Sequence, residues 1–248
     1  MKTAVDPRTV WWIFREPQTR LVKWVLALLR GRPYSIRLEP EGTGYHDWEN
    51  HVIQANPQLF PKESPEIQFR LTQGILAHEA GHAWFTSAWP EQRESRLQEM
   101  CNFLEDQRIE NAICVLYPGI APAIRLLGDR MLADQKHLPR LAAREQAYLC
   151  CLVWRWACKR MDETELFSKL GICKEAQKLW EPVRPLVEQA WMACDTPQVI
   201  TLSRRVLELL GIDPQAAPTR YVPLATDNIP ARRTDKALPF PSMPAESG

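Results

Sequence analysis

Residues 64–89 read SPEIQFRLTQGILAHEAGHAWFTSAW, and the reading of this stretch decides the fold. Ser64 can cap a helix, Pro65 suits the first helical position, and Glu66 suits the positive end of the dipole. A helix is therefore expected from here to about Trp89, where Pro90 stops it. Leu71, Ile75, His78, His82, Phe85 and Trp89 recur at helical spacing and form one stripe. His78 and His82 lie one turn apart on that face, so both imidazoles can reach a single ion. Glu79 falls beside them, where a carboxylate can take a proton from a metal-bound water. The chain holds only 5 histidines, and two of them fall in this HEAGH pattern. Burying two imidazoles and a carboxylate without a partner is costly, which favours a metal over a pair of core histidines. Gly81 carries no side chain, so another backbone can approach closely there.

A zinc site of this kind takes a third protein ligand and keeps one position open. The next helical segment, Asn102-Phe-Leu-Glu-Asp-Gln-Arg-Ile-Glu110, offers one. Helical phase favours Glu105, with Asp106 as the competitor; whichever is not a ligand can orient a ligating imidazole. The competing reading of this acidic cluster is a solvated face, with Arg108 and Glu110 in surface ion pairs.

Outward from the motif, residues 8–30 carry apolar positions divided by Pro17, which predicts a short turn followed by a docking helix. Tyr34 to Pro40 alternates in polarity like a strand, Glu41 to Gly44 has turn chemistry, and Glu49 to Gln54 reads as the return strand. A second long helix is expected from near Glu91 to Tyr117. Further helices fit 121–135, 139–160, 163–170, 173–181, 183–194 and 197–210, with Gly211 as a C-terminal cap. Residues 214–248 are Pro-rich and poor in large apolar groups, so they read as a flexible tail. The expected fold class is α+β, mainly α: one helical domain over 1–213 with a small N-terminal β-hairpin or sheet.

Composition narrows the function. With 248 residues, 45% of them hydrophobic, the chain can bury a substantial core. Lys+Arg 31 against Asp+Glu 30 gives +1, so charge supplies no reason to expect a nucleic-acid partner. The 7 cysteines lie mostly in helical apolar runs without CxxC spacing, which fits reduced, buried thiols. No signal peptide or membrane-spanning run is evident, and a cytoplasmic protein is expected.

HEAGH followed by NFLEDQRIE resembles the metallopeptidase-like region of bacterial proteins that also carry a von Willebrand factor A domain. Among these are relatives of the cobaltochelatase accessory subunit and of the nitric-oxide-reductase activation proteins. The match covers His78, Glu79, His82, Asn102, Leu104, Glu105, Asp106, Arg108, Ile109 and Glu110. The strand pair followed by Asn56-Pro57 is also similar. The resemblance implies a zincin-like fold over about 30–213, here without the A domain, since no DxSxS sequence follows.

The expected function is a zinc-dependent metallopeptidase acting on a peptide or protein substrate. One Zn2+ would be held by His78, His82 and Glu105 or Asp106, with Glu79 as general base. An edge strand from 34–54 would take the extended substrate. The oxyanion stabiliser stays open among His137, Tyr117, Tyr148 and Arg108. The alternative is a non-catalytic, metal-stabilised interaction module working with an A-domain protein or a MoxR-type ATPase. A di-iron bundle would need a second ExxH, and the sequence has none.

Overall fold

A computed structural model describes residues 15–40, 42–47, 49–87, 95–135 and 141–219. Helix α1 (Arg15–Leu28) leads into three short strands, β1 (Ser35–Leu38), β2 (Gly44–Asp47) and β3 (Val52–Ala55). Two long helices follow, α2 (Pro65–Phe85) and α3 (Arg96–Leu116). After them come a 3-10 turn at Pro118–Ile120 and α4 (Ala121–Ala133). Helices α5 (Ala143–Ala157), α6 (Glu163–Leu170), α7 (Lys174–Trp180), α8 (Arg184–Trp191) and α9 (Thr196–Leu210) complete the order. The protein is mainly helical with one small sheet, as expected.

Of the hairpin or sheet expected, the structure has the sheet. Its order is β1-β3-β2, with β3 parallel to β1 and antiparallel to β2. Gly44, read as a turn residue, opens a strand. A Cβ there would stand 2.4 Å from Ile75 Cγ2 and 2.9 Å from Glu79 Oε1, so only glycine lets β2 lie against α2. The turn after β2 is made by Asp47, whose Oδ1 accepts from the Glu49 and Asn50 amides. Asn56 then ties the preceding loop, donating to the carbonyls of Pro40 and Gly42.

Helix α2 starts as read, with the Ser64 hydroxyl accepting from Ile67 N and Pro65 in the first turn. It ends at Phe85, earlier than expected, because Thr86 leaves the helix in an extended conformation. Trp89 lies outside the described residues. The helix is buried nearly all round from Leu71 to Ala83, not along one stripe. Helices α1, α3, α4 and the sheet all pack against it. Two glycines permit this: a Cβ at Gly74 would meet the Ala123 carbonyl of α4 at 2.7 Å, and one at Gly81 would meet Ile109 Cδ1 of α3 at 2.7 Å. Helix α3 begins at Arg96, with Ser95 accepting from Gln98 N, several residues after the expected start.

Two apolar clusters result. One joins α1, β3, α2 and the end of α3 through Val25, Ile53, Ala55, Leu76, Ala80 and Ile113. The other joins the start of α3 to α5–α9, around Met100, Leu104, Tyr148, Val153, Trp180 and Val206. Helix α3 belongs to both, and its polar middle lies at their junction. Residues 214–219, expected as the start of a loose tail, instead pack on the α3 N-terminus. The carbonyls of Ala216 and Pro214 accept from Arg96 N and Leu97 N, and Thr219 binds Glu99. The first-turn amides of a helix need such acceptors. The rest of the expected tail, 220–248, is outside the described residues.

Candidate metal centre

From Phe103 to Glu110 every residue of α3 is buried, including Glu105, Asp106, Arg108 and Glu110. A helix can bury charge only where each group finds a partner. These groups divide into two networks.

The first holds no candidate ligand. Glu105, 0% exposed, accepts from Arg108 Nη2 at 2.6 Å, Arg108 Nε at 2.7 Å and Thr196 Oγ1 at 3.0 Å. Arg108 also donates to the Phe85 carbonyl at 2.7 Å. The preference for Glu105 as third ligand is therefore corrected: its carboxylate faces the α2–α9 junction and is fully engaged there.

The second network gathers His78, His82 and Asp106, whose ligand atoms lie within 4.8 Å of one another. His82 Nε2 is 3.2 Å, and His78 Nε2 3.6 Å, from Asp106 Oδ1. Every other polar atom of these three side chains is tied outward. His78 Nδ1–H donates to Glu110 Oε1 at 2.9 Å, the sense fixed by a carboxylate being an acceptor. His82 Nδ1 pairs with Thr86 Oγ1 at 2.9 Å. Asp106 Oδ2 accepts from Arg155 Nη1 and from Asn102 Nδ2. Asp106 Oδ1 is buried and makes no aligned hydrogen bond, although His82 Nε2 stands 3.2 Å away. Two imidazole nitrogens and one buried carboxylate oxygen thus converge, with outer atoms held as metal ligands usually are.

Charge supports the same conclusion. Among the described residues, the only buried Asp, Glu, Lys or Arg side chains are Glu79, Glu105, Asp106, Arg108, Glu110 and Arg155. Four carboxylates against two guanidiniums leave an excess of negative charge, which protonation of His78 offsets in part and a divalent cation would neutralise in full. The titration behaviour follows. Burial alone would lower the His78 pKa, but Asp106, the Glu110 hydrogen bond and Glu79 raise it to about 9. Burial also raises the Asp106 pKa, yet Arg155 and the two histidines outweigh this and hold it below the usual carboxylate range. Burial raises Glu79, partly opposed by His78 and His82. The residues present fit one divalent ion with three protein donors.

Glu79 forms no hydrogen bond or ion pair with any described residue. Its carboxylate lies between α2 and β2, against Gly44. On that same sheet face, the row Ile36–Ile53–His46 follows the row Leu38–Ala55–Gly44. His46 therefore faces α2, where its Nε2 bonds the Tyr34 hydroxyl at 2.8 Å. Burial first, and then the proximity of His82, depress its pKa to about 4. No sequence signal pointed to His46, Thr86 or Arg155, because each lies outside the motif helix. Of the oxyanion candidates, Tyr117 donates to the Leu28 carbonyl, Tyr148 to Glu99 near the α3 N-terminus, and Arg108 is held by Glu105. None is brought to the histidines, and His137 lies outside the described residues. No protein-family model matches this chain, and no curated protein or solved structure matches it either.

Proposed function

We propose that this protein is a metal-dependent hydrolase of peptide bonds, with His78, His82 and Asp106 holding one zinc ion and Glu79 acting as general base. The observation that carries this reading is the convergence of the two Nε2 atoms on the buried Asp106 Oδ1, beside a Glu79 carboxylate that makes no hydrogen bond or ion pair among the described residues. When bound, the ion supplies a water acidified towards neutrality and polarises the substrate carbonyl. Glu79 takes the proton from the attacking water and passes it to the leaving amine; burial raises its basicity for that role. Strand β2 is at the edge of the sheet and runs against α2, so an extended peptide added to it would lie beside Glu79. Two histidines and one carboxylate also suit Fe(II). The base at Glu79, with no hydrogen bond or ion pair among the described residues, favours hydrolysis and zinc.

A second reading draws on the position of the centre between the two apolar clusters and on its burial, with His82 only 5% and Asp106 7% exposed. There the ion is a keystone and the protein an interaction module, with an A-domain protein or MoxR-type ATPase as the partner that the resemblance implies. Elemental analysis and hydrolysis of unfolded casein by wild type and Glu79→Gln separate the two. The first reading expects one zinc in both proteins and a loss on the order of 10²–10⁴ in rate for Glu79→Gln. Equal rates would remove Glu79 from the mechanism. Zinc with no hydrolysis in either protein would establish the keystone.

A further inference from the structure

Arg155 is the one cation that the C-terminal cluster sends into the centre among the described residues. It stands buried on α5, a helix whose Tyr148, Cys151, Leu152, Val153 and Trp156 are buried as well. Such a position normally takes an aliphatic residue, and burying a guanidinium there is unfavourable unless its acceptors are well placed. Those acceptors lie on α3. Arg155 Nη1 donates to Asp106 Oδ2, and Nη2 donates to Glu110 Oε1 at 3.1 Å. Asp106 and Glu110 are one helical turn apart, so without a cation between them the two carboxylates repel. Both carboxylates also act on the histidines. Asp106 turns Oδ1 towards the two rings, and Glu110 fixes the Nδ1–H of His78 at 2.9 Å.

We propose that Arg155 is the positioning residue of this centre: its fork occupies Asp106 Oδ2 and Glu110 together, so that Asp106 offers a metal only Oδ1 and His78 only Nε2. This role rests on the reading of His78, His82 and Asp106 as a metal centre and names what sets its geometry. A planar fork is needed because the two acceptors belong to different residues. A lysine ammonium restores the charge but cannot span both in fixed directions. Arg155 also ties the centre to the C-terminal half of the chain. The ligands come from α2 and α3, while the group that aims two of them is anchored in the other apolar cluster.

The test uses Co2+ as the probe in the full chain, reading both dissociation constant and visible absorption, for wild type, Arg155→Lys and Arg155→Met. Arg155→Lys is expected to fold, to bind Co2+ about 10–100-fold more weakly, and to show a changed and weaker absorption as Oδ2 is released to the ion. Arg155→Met is expected to show the larger change; if it does not fold, Arg155→Lys carries the test alone. Wild-type affinity and spectrum in Arg155→Lys would overturn the positioning role while leaving the centre intact. A weaker affinity with an unchanged spectrum would also overturn it, since that is the signature of general destabilisation. A wild type that binds no Co2+ would overturn the metal centre itself, and the positioning role with it.

Discussion

Replacing Glu105 by Gln, beside the replacement of Asp106 by Asn, separates the two adjacent carboxylates by what each does. Glu105 is 0% exposed and accepts three hydrogen bonds, two from Arg108 and one from Thr196. Glutamine keeps the shape and an acceptor oxygen but removes the charge, leaving the buried Arg108 guanidinium with the Phe85 carbonyl and a neutral amide. Breaking a buried ion pair costs about 3–5 kcal/mol, and the retained acceptor places this case near about 3. For a domain of this size, each kcal/mol moves the midpoint by roughly 2–4 °C, so Tm should fall by about 6–12 °C. Zinc stoichiometry should not change, because Glu105 does not reach the histidines. Asp106→Asn acts in reverse. It removes the converging charged oxygen and the partner of Arg155, and zinc affinity should fall by more than the roughly 100-fold seen for outer partners. Thermal unfolding of the metal-free proteins and a calorimetric zinc titration read the two quantities separately. Loss of zinc from Glu105→Gln with retention by Asp106→Asn would refute the assignment.

Gly81→Ala should destabilise by about 1 kcal/mol, as overpacking against Ile109 Cδ1 outweighs the gain in helix propensity of about 1 kcal/mol. Adding Ile109→Val, which deletes that Cδ1, should recover the loss in urea unfolding; a single variant more stable than wild type would contradict the packing. His46 has a folded pKa of about 4, below the 6.5 of an ordinary imidazole, so the unfolded chain protonates first. Its contribution is complete above pH 6.5 and is lost as pH falls towards 4. The shift bounds this at about 3 kcal/mol, and solvent screening of a half-buried ring cuts it to roughly half. Urea midpoints of metal-free wild type and His46→Gln at about pH 7.5 and about pH 5 should converge in acid; a constant gap between them would show that His46 does not titrate in this range.

Much of this protein is legible one segment at a time. Ser64 and Pro65 mark a helix start by chemistry that needs only nearby amides, and Gly211 takes the left-handed cap expected of it. His78 and His82 share a helix face because 3.6 residues make a turn. What failed were readings that depended on a second element. Glycine at 44 looked like a turn because nothing local says that Ile75 and Glu79 will press against it. The break at Thr86 is held by contacts to His82 and by Thr196, 109 residues from the bonded Ser87.

The sequence by itself determined the mainly helical class, the spacing of the two histidines and the carboxylate beside them, since local periodicity and capping carry those. The choice between Glu105 and Asp106 belonged to the tertiary structure. Adjacent helix positions differ by about 100° in direction, too little to decide which neighbour each will face. Arg108 and Thr196 draw Glu105 one way, while Arg155 and the two imidazoles draw Asp106 the other; Thr196, Arg155 and the imidazoles arrive only when α9, α5 and α2 pack on α3.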